Sequence, residues 1–169
     1  VAAFPAGSTA PTPAPANDPI PDRAPLIFFI AGDISGDQHG SHLARALRTS
    51  RPDLRLAGYA GPAMAEAGVE VLVDLTRALH VMLVWEVVKN LHRVWELRRS
   101  VLREIDRLRP DLVVLIDYPG FNLHVAKFIR ARGIPIVYYI SPQAWAWGQG
   151  RVRKMKALLE HVLTILPFE

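Results

Sequence analysis

The stretch Leu112-Val-Val-Leu-Ile-Asp-Tyr-Pro-Gly-Phe-Asn122 decides the fold class of this chain. Residues 112–116 are apolar without alternation, which predicts a strand that is buried on both faces of a parallel sheet. Asp117 therefore falls at the carboxyl end of the strand, where open α/β sheets bind their ligands. A carboxylate in this place serves either as a catalytic base or as a loop cap that accepts backbone amides, and position alone leaves both open.

The strand, turn and helix pattern repeats along the chain from Leu26. Strands are predicted over residues 26–31, 54–60, 69–73, 112–116, 136–140 and 161–166. Helices are predicted over 41–49, in a short segment ending at Gly68, over 82–108 and over 122–132. The alternation predicts an α/β fold, a Rossmann-like parallel sheet with helices on both faces.

Composition limits the chain to one folded unit and excludes several classes of site. Its 169 residues, 50% of them apolar, suffice for one core, which we place at residues 26–169. Residues 1–25 hold seven of the 14 prolines and are predicted to be a disordered leader. Because there is no Cys, disulfides, thiolate metal sites and Cys nucleophiles are excluded. No apolar stretch reaches the roughly 20 residues of a spanning helix.

The net charge of +4 is concentrated in two segments, residues 86–109 and 151–156. Basic patches of this kind suit phosphate groups of a nucleotide, an anionic lipid surface or a nucleic acid. The alternative is that both segments are ordinary solvated helix faces.

The first predicted strand runs into a glycine-bearing segment, Gly32 to Gly40. Its spacing is not that of a dinucleotide fingerprint, and Asp33 and Asp37 suit sugar hydroxyls better than phosphates. The alternative is that Ser35 and Asp37 only cap the following helix. His39 and His42 lack a third ligand in the sequence nearby, so no metal site is predicted.

Two further segments combine tryptophan with cations. The start of the predicted helix 82–108 is unusually apolar and is followed by Arg and Lys, which is typical of a helix resting on a membrane interface, although core packing explains the apolar stripe equally well. The predicted membrane contacts are Val81, Trp85, Lys89, Arg93, Arg98 and Arg99. Trp145 and Trp147 follow the fifth strand, where they either contact a ligand or plug the sheet edge. The charges of Arg151 and Arg153 oppose the dipole at the start of the next predicted helix, a mismatch that a bound anion would explain.

Six ordered motifs together resemble a known family. They are Gly32-Asp-Ile-Ser-Gly-Asp37, Gly61-Pro62, Val81-Met82 with Glu86, Ile116-Asp-Tyr-Pro-Gly-Phe-Asn122, Ser141-Pro-Gln-Ala-Trp-Ala-Trp147 and Leu166-Pro-Phe-Glu169. In order and spacing they are similar to the amino-terminal half of lipid-A-disaccharide synthase. The chain departs from the family at Asp33, where Glu is common, and at Gly148 and Gly150, where basic residues are common.

The resemblance implies the amino-terminal, acceptor-side domain of a two-domain GT-B glycosyltransferase, whose nucleotide-sugar domain would follow. The implied reaction joins UDP-2,3-diacylglucosamine to 2,3-diacylglucosamine 1-phosphate (lipid X) with inversion and release of UDP, without metal or cofactor. It implies a peripheral protein on the cytoplasmic face of the inner membrane, with an anionic lipid surface as partner, a homodimer as a further candidate, and no nucleic acid.

Asp117 is the catalytic base that this reading predicts. The predicted substrate-binding residues are Asp33, Ser35, Gly36, Asp37, Met82, Glu86, Asn122, Ser141, Trp145, Trp147 and Arg151. The alternative function is a non-catalytic lipid- or nucleotide-binding Rossmann-like domain.

Overall fold

The computed structural model describes residues 23–76, 91–140 and 155–165, with the backbone alone at residues 91 and 93. The strands are β1 (Leu26–Ala31), β2 (Arg55–Ala60), β3 (Glu70–Asp74), β4 (Leu112–Ile116), β5 (Ile136–Tyr139) and β6 (His161–Leu163). The helices are α1 (Ile34–Ser50), α2 (Pro62–Glu66), α3 (Leu91–Leu108) and α4 (Pro119–Arg130).

The strands of the described segments form one parallel sheet in the order β3-β2-β1-β4-β5-β6. The chain moves outward from β1 to β3 on one side and then returns to build β4, β5 and β6 on the other. The gap beyond the carboxyl ends of β1 and β4 is therefore the topological switch point, the usual ligand crevice of such sheets. The predicted Rossmann-like architecture is confirmed.

Helices cover both faces of the sheet because every central strand is apolar on both sides. In β1, Phe28 and Ile30 belong to the core on the side of α3 and α4. Ile27 and Phe29 belong to the core on the side of α1 and α2. All four are buried, as expected of an inner strand of a parallel sheet.

Two helix starts differ from the prediction. Helix α1 begins at Ile34 instead of Ser41, because the Asp33 carboxylate caps the first turn by accepting the amide of Gly36 at 2.6 Å. Helix α4 begins at Pro119 instead of Asn122, since a proline at the first helical position loses no hydrogen bond there. The segment predicted as a glycine-bearing loop is thus mostly the first two turns of α1.

The ends of the chain also refine the prediction. Residues 1–22, most of the predicted leader, lie outside the described residues, but residues 23–25 contact the sheet. Arg23 pairs with Asp111 at 3.0 Å, and the carbonyl of Pro25 accepts the amide of Arg55 at 2.9 Å. Strand β6 ends at Leu163 rather than at 166. In the described segments no helix is long and apolar enough to span a membrane.

Candidate functional site at the switch point

The loops that follow β1 and β4 meet at the switch point. Ala31 is in register with Ile116, so the next residues on each strand lie side by side. A Cβ atom on Gly32 would lie 2.8 Å from Cγ of Tyr118, closer than van der Waals contact allows. Glycine at position 32 therefore lets the Tyr118 ring pack directly on the backbone of the first loop.

The backbone leaves β4 through two left-handed residues. Asp117 and Tyr118 both have φ of 45°, and neither is glycine. The left-handed region costs an L residue roughly 1–2 kcal/mol, so the pair needs support from its surroundings. Strain of this kind at the end of a parallel strand is a common mark of a functional loop.

Hydrogen bonds from two elements hold the Asp117 backbone. The Asp117 amide donates to the Tyr139 carbonyl at 3.1 Å, which continues the pairing with β5. The Asp117 carbonyl accepts the Tyr138 hydroxyl at 2.6 Å and the Asn122 side-chain amide at 2.7 Å. The same Asn122 nitrogen also donates to the carbonyl of Ile116 at 3.1 Å. The side chains of Tyr138 and Asn122 are both fully buried, so these hydrogen bonds replace the ones that their polar groups would make with water.

The prediction that Asn122 binds substrate directly stays a prediction. Its side-chain nitrogen is used by the loop backbone, and among the described residues its Oδ1 atom has no hydrogen-bond partner. Asn122 therefore acts here first as a support for the turn, and it lies in the first turn of α4, next to the catalytic candidate.

Electrostatics connect the two loops. Burial, followed by the charge of Asp33, raises the pKa of Tyr118 above its ordinary value. Burial, followed by the charge of Asp117, also raises the pKa of Tyr138, with a smaller contribution from Asp33. The nearby Asn122 amide opposes this rise. The charge of Asp33 thus acts on both tyrosine hydroxyls, and the charge of Asp117 acts on that of Tyr138.

Asp37 caps the start of α2, a contact that the sequence did not predict. It is only 3% exposed, and its carboxylate accepts the backbone amides of Gly61 at 2.8 Å, Ala63 at 2.9 Å and Met64 at 3.1 Å. These are the amides at the start of α2, which is left without a cap by Gly61 itself. Asp37 is therefore a helix cap, as the alternative predicted, but it caps α2 and not α1. The cap of α1 is Asp33 and not Ser35.

Ser35 is exposed and Gly36 is buried in the first turn of α1, beside the Asp33 carboxylate. These positions put both near the switch point, and their predicted role in substrate binding stays a prediction. The other predicted substrate contacts lie outside the described residues: Met82, Glu86, Ser141, Trp145, Trp147 and Arg151.

Part of the predicted membrane-contact surface can be placed. Arg98 stacks on Phe128 of α4, with Cζ 4.7 Å from the ring centroid, and its Nη1 lies 3.2 Å from Nε2 of His124. Arg99 instead stacks on Trp95 at 3.4 Å, and Trp95 is 45% exposed. Arg98 therefore joins α3 to α4, whereas Arg99 and Trp95 form an outward-facing pair.

The remaining membrane-contact predictions, Val81, Trp85, Lys89 and the Arg93 side chain, lie outside the described residues. Trp95 lies on the predicted helix 82–108, whose apolar stripe could be explained by core packing, but its side chain is exposed. Its chemistry is suited to an interface, since the indole ring is apolar at one end and can hydrogen bond at the other.

Sequence reasoning missed Tyr118 and Tyr138. Tyr138 lies in β5 and is predicted only as an apolar strand residue, although a buried tyrosine needs a hydroxyl partner and so signals a polar group across the sheet. No cluster of metal-ligating side chains occurs among residues 23–76, 91–140 and 155–165.

Comparison with known proteins identifies the family. The family model "Lipid-A-disaccharide synthetase" matches residues 27–169. The chain belongs to the lipid-A-disaccharide synthase family. It is 43% identical over 145 residues to the lipid-A-disaccharide synthase of Myxococcus xanthus, which covers 86% of this chain and 38% of that protein. It is 44% identical over 151 residues to that of Trichlorobacter lovleyi, covering 87% and 38%.

Solved structures support the fold. MurG of Acinetobacter baumannii matches with a TM-score of 0.53 at 16% identity, covering 85% of this chain and 41% of that one. A UDP-N-acetylglucosamine 2-epimerase homologue from Listeria monocytogenes matches with a TM-score of 0.58 at 9% identity, covering 86% and 40%. At these identities the likeness shows the fold alone, that of the amino-terminal half of a GT-B protein. The chain spans about 38% of the length of its curated relatives.

Proposed function

We propose that this chain supplies the acceptor side of a glycosyltransferase of lipid A biosynthesis. The reaction joins UDP-2,3-diacylglucosamine to 2,3-diacylglucosamine 1-phosphate and gives lipid A disaccharide 1-phosphate and UDP. The observation that carries the proposal is Asp117 at the switch point of a chain whose residues 27–169 match this family. The relatives are longer, so the nucleotide-sugar site is assigned to the remainder of the family's chain.

The chemistry needs a group that accepts a proton from a weak nucleophile. Asp117 takes the proton from the 6-hydroxyl of the lipid acceptor while that oxygen forms a bond to the anomeric carbon of the donor. The bond from the anomeric carbon to the UDP oxygen breaks on the opposite side, so configuration inverts and UDP carries away the electron pair. A positioned base contributes about 10²–10⁴-fold to such a step.

The alternative, a non-catalytic lipid- or nucleotide-binding domain, is not favoured. The matching relatives carry the name of a synthase, and the loop after β4 has a strained carboxylate-bearing turn that a passive domain does not require. The predicted homodimer stays a prediction.

The Asp117→Asn variant of the complete gene product tests the catalytic proposal. The amide keeps the shape of the side chain but cannot take the proton, so we expect turnover to fall by about 100-fold or more with little change in UDP-sugar binding. The matched control is Asp53→Asn, the same change in an exposed ion pair with Arg51, which precedes the amino end of β2, whereas Asp117 follows the carboxyl end of β4. Turnover within about threefold of the unchanged protein would remove Asp117 as the base, since even a modest base contributes more.

The lipid substrates also require access to a membrane, and we assign that contact to the face of α3 bearing Trp95 and Arg99. An exposed indole stacked with a guanidinium offers apolar contact and a charge for lipid phosphates. The anionic cytoplasmic face of the inner membrane is the surface that fits, because a cation near it contributes about 1 kcal/mol.

Sedimentation with anionic and neutral vesicles tests this surface. Arg99→Gln should weaken binding to anionic vesicles about fivefold at low salt and have little effect at high salt, where the attraction is screened. Arg51→Gln, a charge removed from the exposed pair with Asp53, is the control. Equal loss in both variants would assign the effect to net charge and contradict a specific face.

A further inference from the structure

Tyr138 and Asn122 converge on one atom, the main-chain carbonyl oxygen of Asp117. The Tyr138 hydroxyl donates at 2.6 Å from the neighbouring strand β5, and the Asn122 amide donates at 2.7 Å from α4. Neither side chain is exposed to solvent. The Asp117 amide already completes the pairing of β4 with β5 by donating to the Tyr139 carbonyl. The two buried hydrogen bonds to the Asp117 carbonyl are therefore additional to the sheet pairing.

The orientation of this carbonyl depends on the backbone conformation of Asp117 and Tyr118. The left-handed turn at Asp117 and Tyr118 contains no glycine, so an extended or right-handed backbone would be favoured locally. Either change would rotate the carbonyl away from both donors and would carry the side chain of Asp117 to a different place. The two hydrogen bonds therefore select the backbone conformation in which the carboxylate is presented.

We propose that Tyr138 and Asn122 are positioning residues that fix the Asp117 carboxylate for proton transfer by holding the Asp117 carbonyl. This inference rests on the proposed function, because it assigns Asp117 the role of base. Neither residue needs to touch the substrate. Burial also raises the pKa of Tyr138, with the charge of Asp117 adding to the effect, so the hydroxyl stays a donor throughout the working range.

A structural role alone must be distinguished from positioning, because any buried tyrosine hydroxyl needs a partner. Tyr59 provides the matched control. It is also buried, at 1% exposure, and its hydroxyl bonds Ser100 at 2.8 Å, joining β2 to α3 away from Asp117. Tyr138→Phe and Tyr59→Phe each delete one oxygen from a buried ring, so they should lower the unfolding midpoint to a similar extent.

The test measures kcat and KM of the complete gene product for both variants. Tyr138→Phe should lower kcat about tenfold with KM changed less than about twofold, because small errors in the position of a catalytic group are costly while substrate contacts remain. Tyr59→Phe should leave kcat unchanged. Equal kcat in the two variants would overturn the proposal.

A double variant separates failure of this inference from failure of the proposed function. If Tyr138 acts through Asp117, adding Tyr138→Phe to Asp117→Asn should lower kcat by less than about twofold further. A further tenfold loss would show that Tyr138 acts by another route and would overturn the inference. Full activity of Asp117→Asn alone would instead overturn the proposed function, whatever Tyr138→Phe does.

Should Tyr138→Phe fail to fold, Asn122→Ser provides the same test from the other donor. The shorter side chain withdraws the amide from the Asp117 carbonyl while leaving Tyr138 in place. We expect a loss of kcat in the same direction, again absent in the Asp117→Asn background, and an unchanged kcat would overturn the inference.

Discussion

The loops after β1 and β4 both carry aspartates at the switch point, yet the structure uses them in opposite ways. After β1 the carboxylates accept backbone amides, since Asp33 in the loop accepts the Gly36 amide and Asp37 in α1 accepts three amides at the start of α2. In the second loop the backbone is held by other side chains, and Asp117 receives bonds at its carbonyl from Tyr138 and Asn122. The difference separates two carboxylates that stabilise the backbone from Asp117, the one proposed to act on substrate; the predicted contacts of Asp33 and Asp37 with substrate stay predictions.

The backbone follows the same division. The first loop enters a regular helix immediately after its cap, with Asp33 in an extended conformation that any residue adopts. The second loop contains two left-handed residues, Asp117 and Tyr118, directly before α4 begins. Backbone strain therefore falls on the candidate base Asp117 and not on the capping aspartates Asp33 and Asp37. This is the pattern expected when a fold loses some stability in order to position a functional group.

The largest effect that this comparison predicts is on stability, at Asp37. Asp37→Ala leaves three amides at the start of α2 without their buried acceptor, so we expect the free energy of unfolding to fall by about 3 kcal/mol. Urea unfolding followed by circular dichroism measures it. The control Asp53→Ala, at an exposed pair with Arg51, should leave the urea unfolding midpoint nearly unchanged.

The Asp37→Ala variant could also contradict the contrast between the capping aspartates and Asp117. If Asp37→Ala kept full stability but lost activity, Asp37 would belong with Asp117 among the residues that act on substrate. The division between the two loops would then be wrong.

Much of the sheet could be predicted from the sequence because its signal is local. Strand β4 occupies the predicted residues 112–116, since an unbroken apolar run has few other uses in an α/β chain. The start of α1 was missed because the glycines of residues 32–40 indicated a loop. The aspartate at position 33 was itself a cap signal, and the cap outweighed the low helix propensity of the glycines.

The site could be predicted only in part because its support is not local. A strand-end aspartate is visible in the sequence, and so Asp117 could be predicted as a candidate from the sequence alone. Left-handed geometry at Asp117 and Tyr118 has no sequence mark when neither is glycine. The bond from Tyr138 depends on the register of β4 and β5, in which Leu115 faces Tyr138, and only the folded sheet reveals that register.

The smallest predicted effect concerns the electrostatic link between the two loops. Tyr118 has a pKa raised first by burial and then by the charge of Asp33. Asp33→Asn removes the charge while keeping an oxygen that can cap α1. The pKa of Tyr118 should therefore fall, yet stay above the ordinary value of 10.0 because burial is the larger cause.

Phenolate absorbance during an alkaline titration measures this change, with Tyr118→Phe to assign the signal and Asp53→Asn as the control. The sign of the effect on stability follows from the raised pKa. The native state holds the Tyr118 proton more tightly than the unfolded chain, so this contribution is fully present below pH 10.0 and is lost as pH rises through the native pKa. In Asp33→Asn the total loss should be smaller and should be complete at a lower pH. An unchanged titration of Tyr118 would mean that the Asp33 charge does not reach the second loop, so that among the described residues packing, such as that at Gly32, would link the two loops.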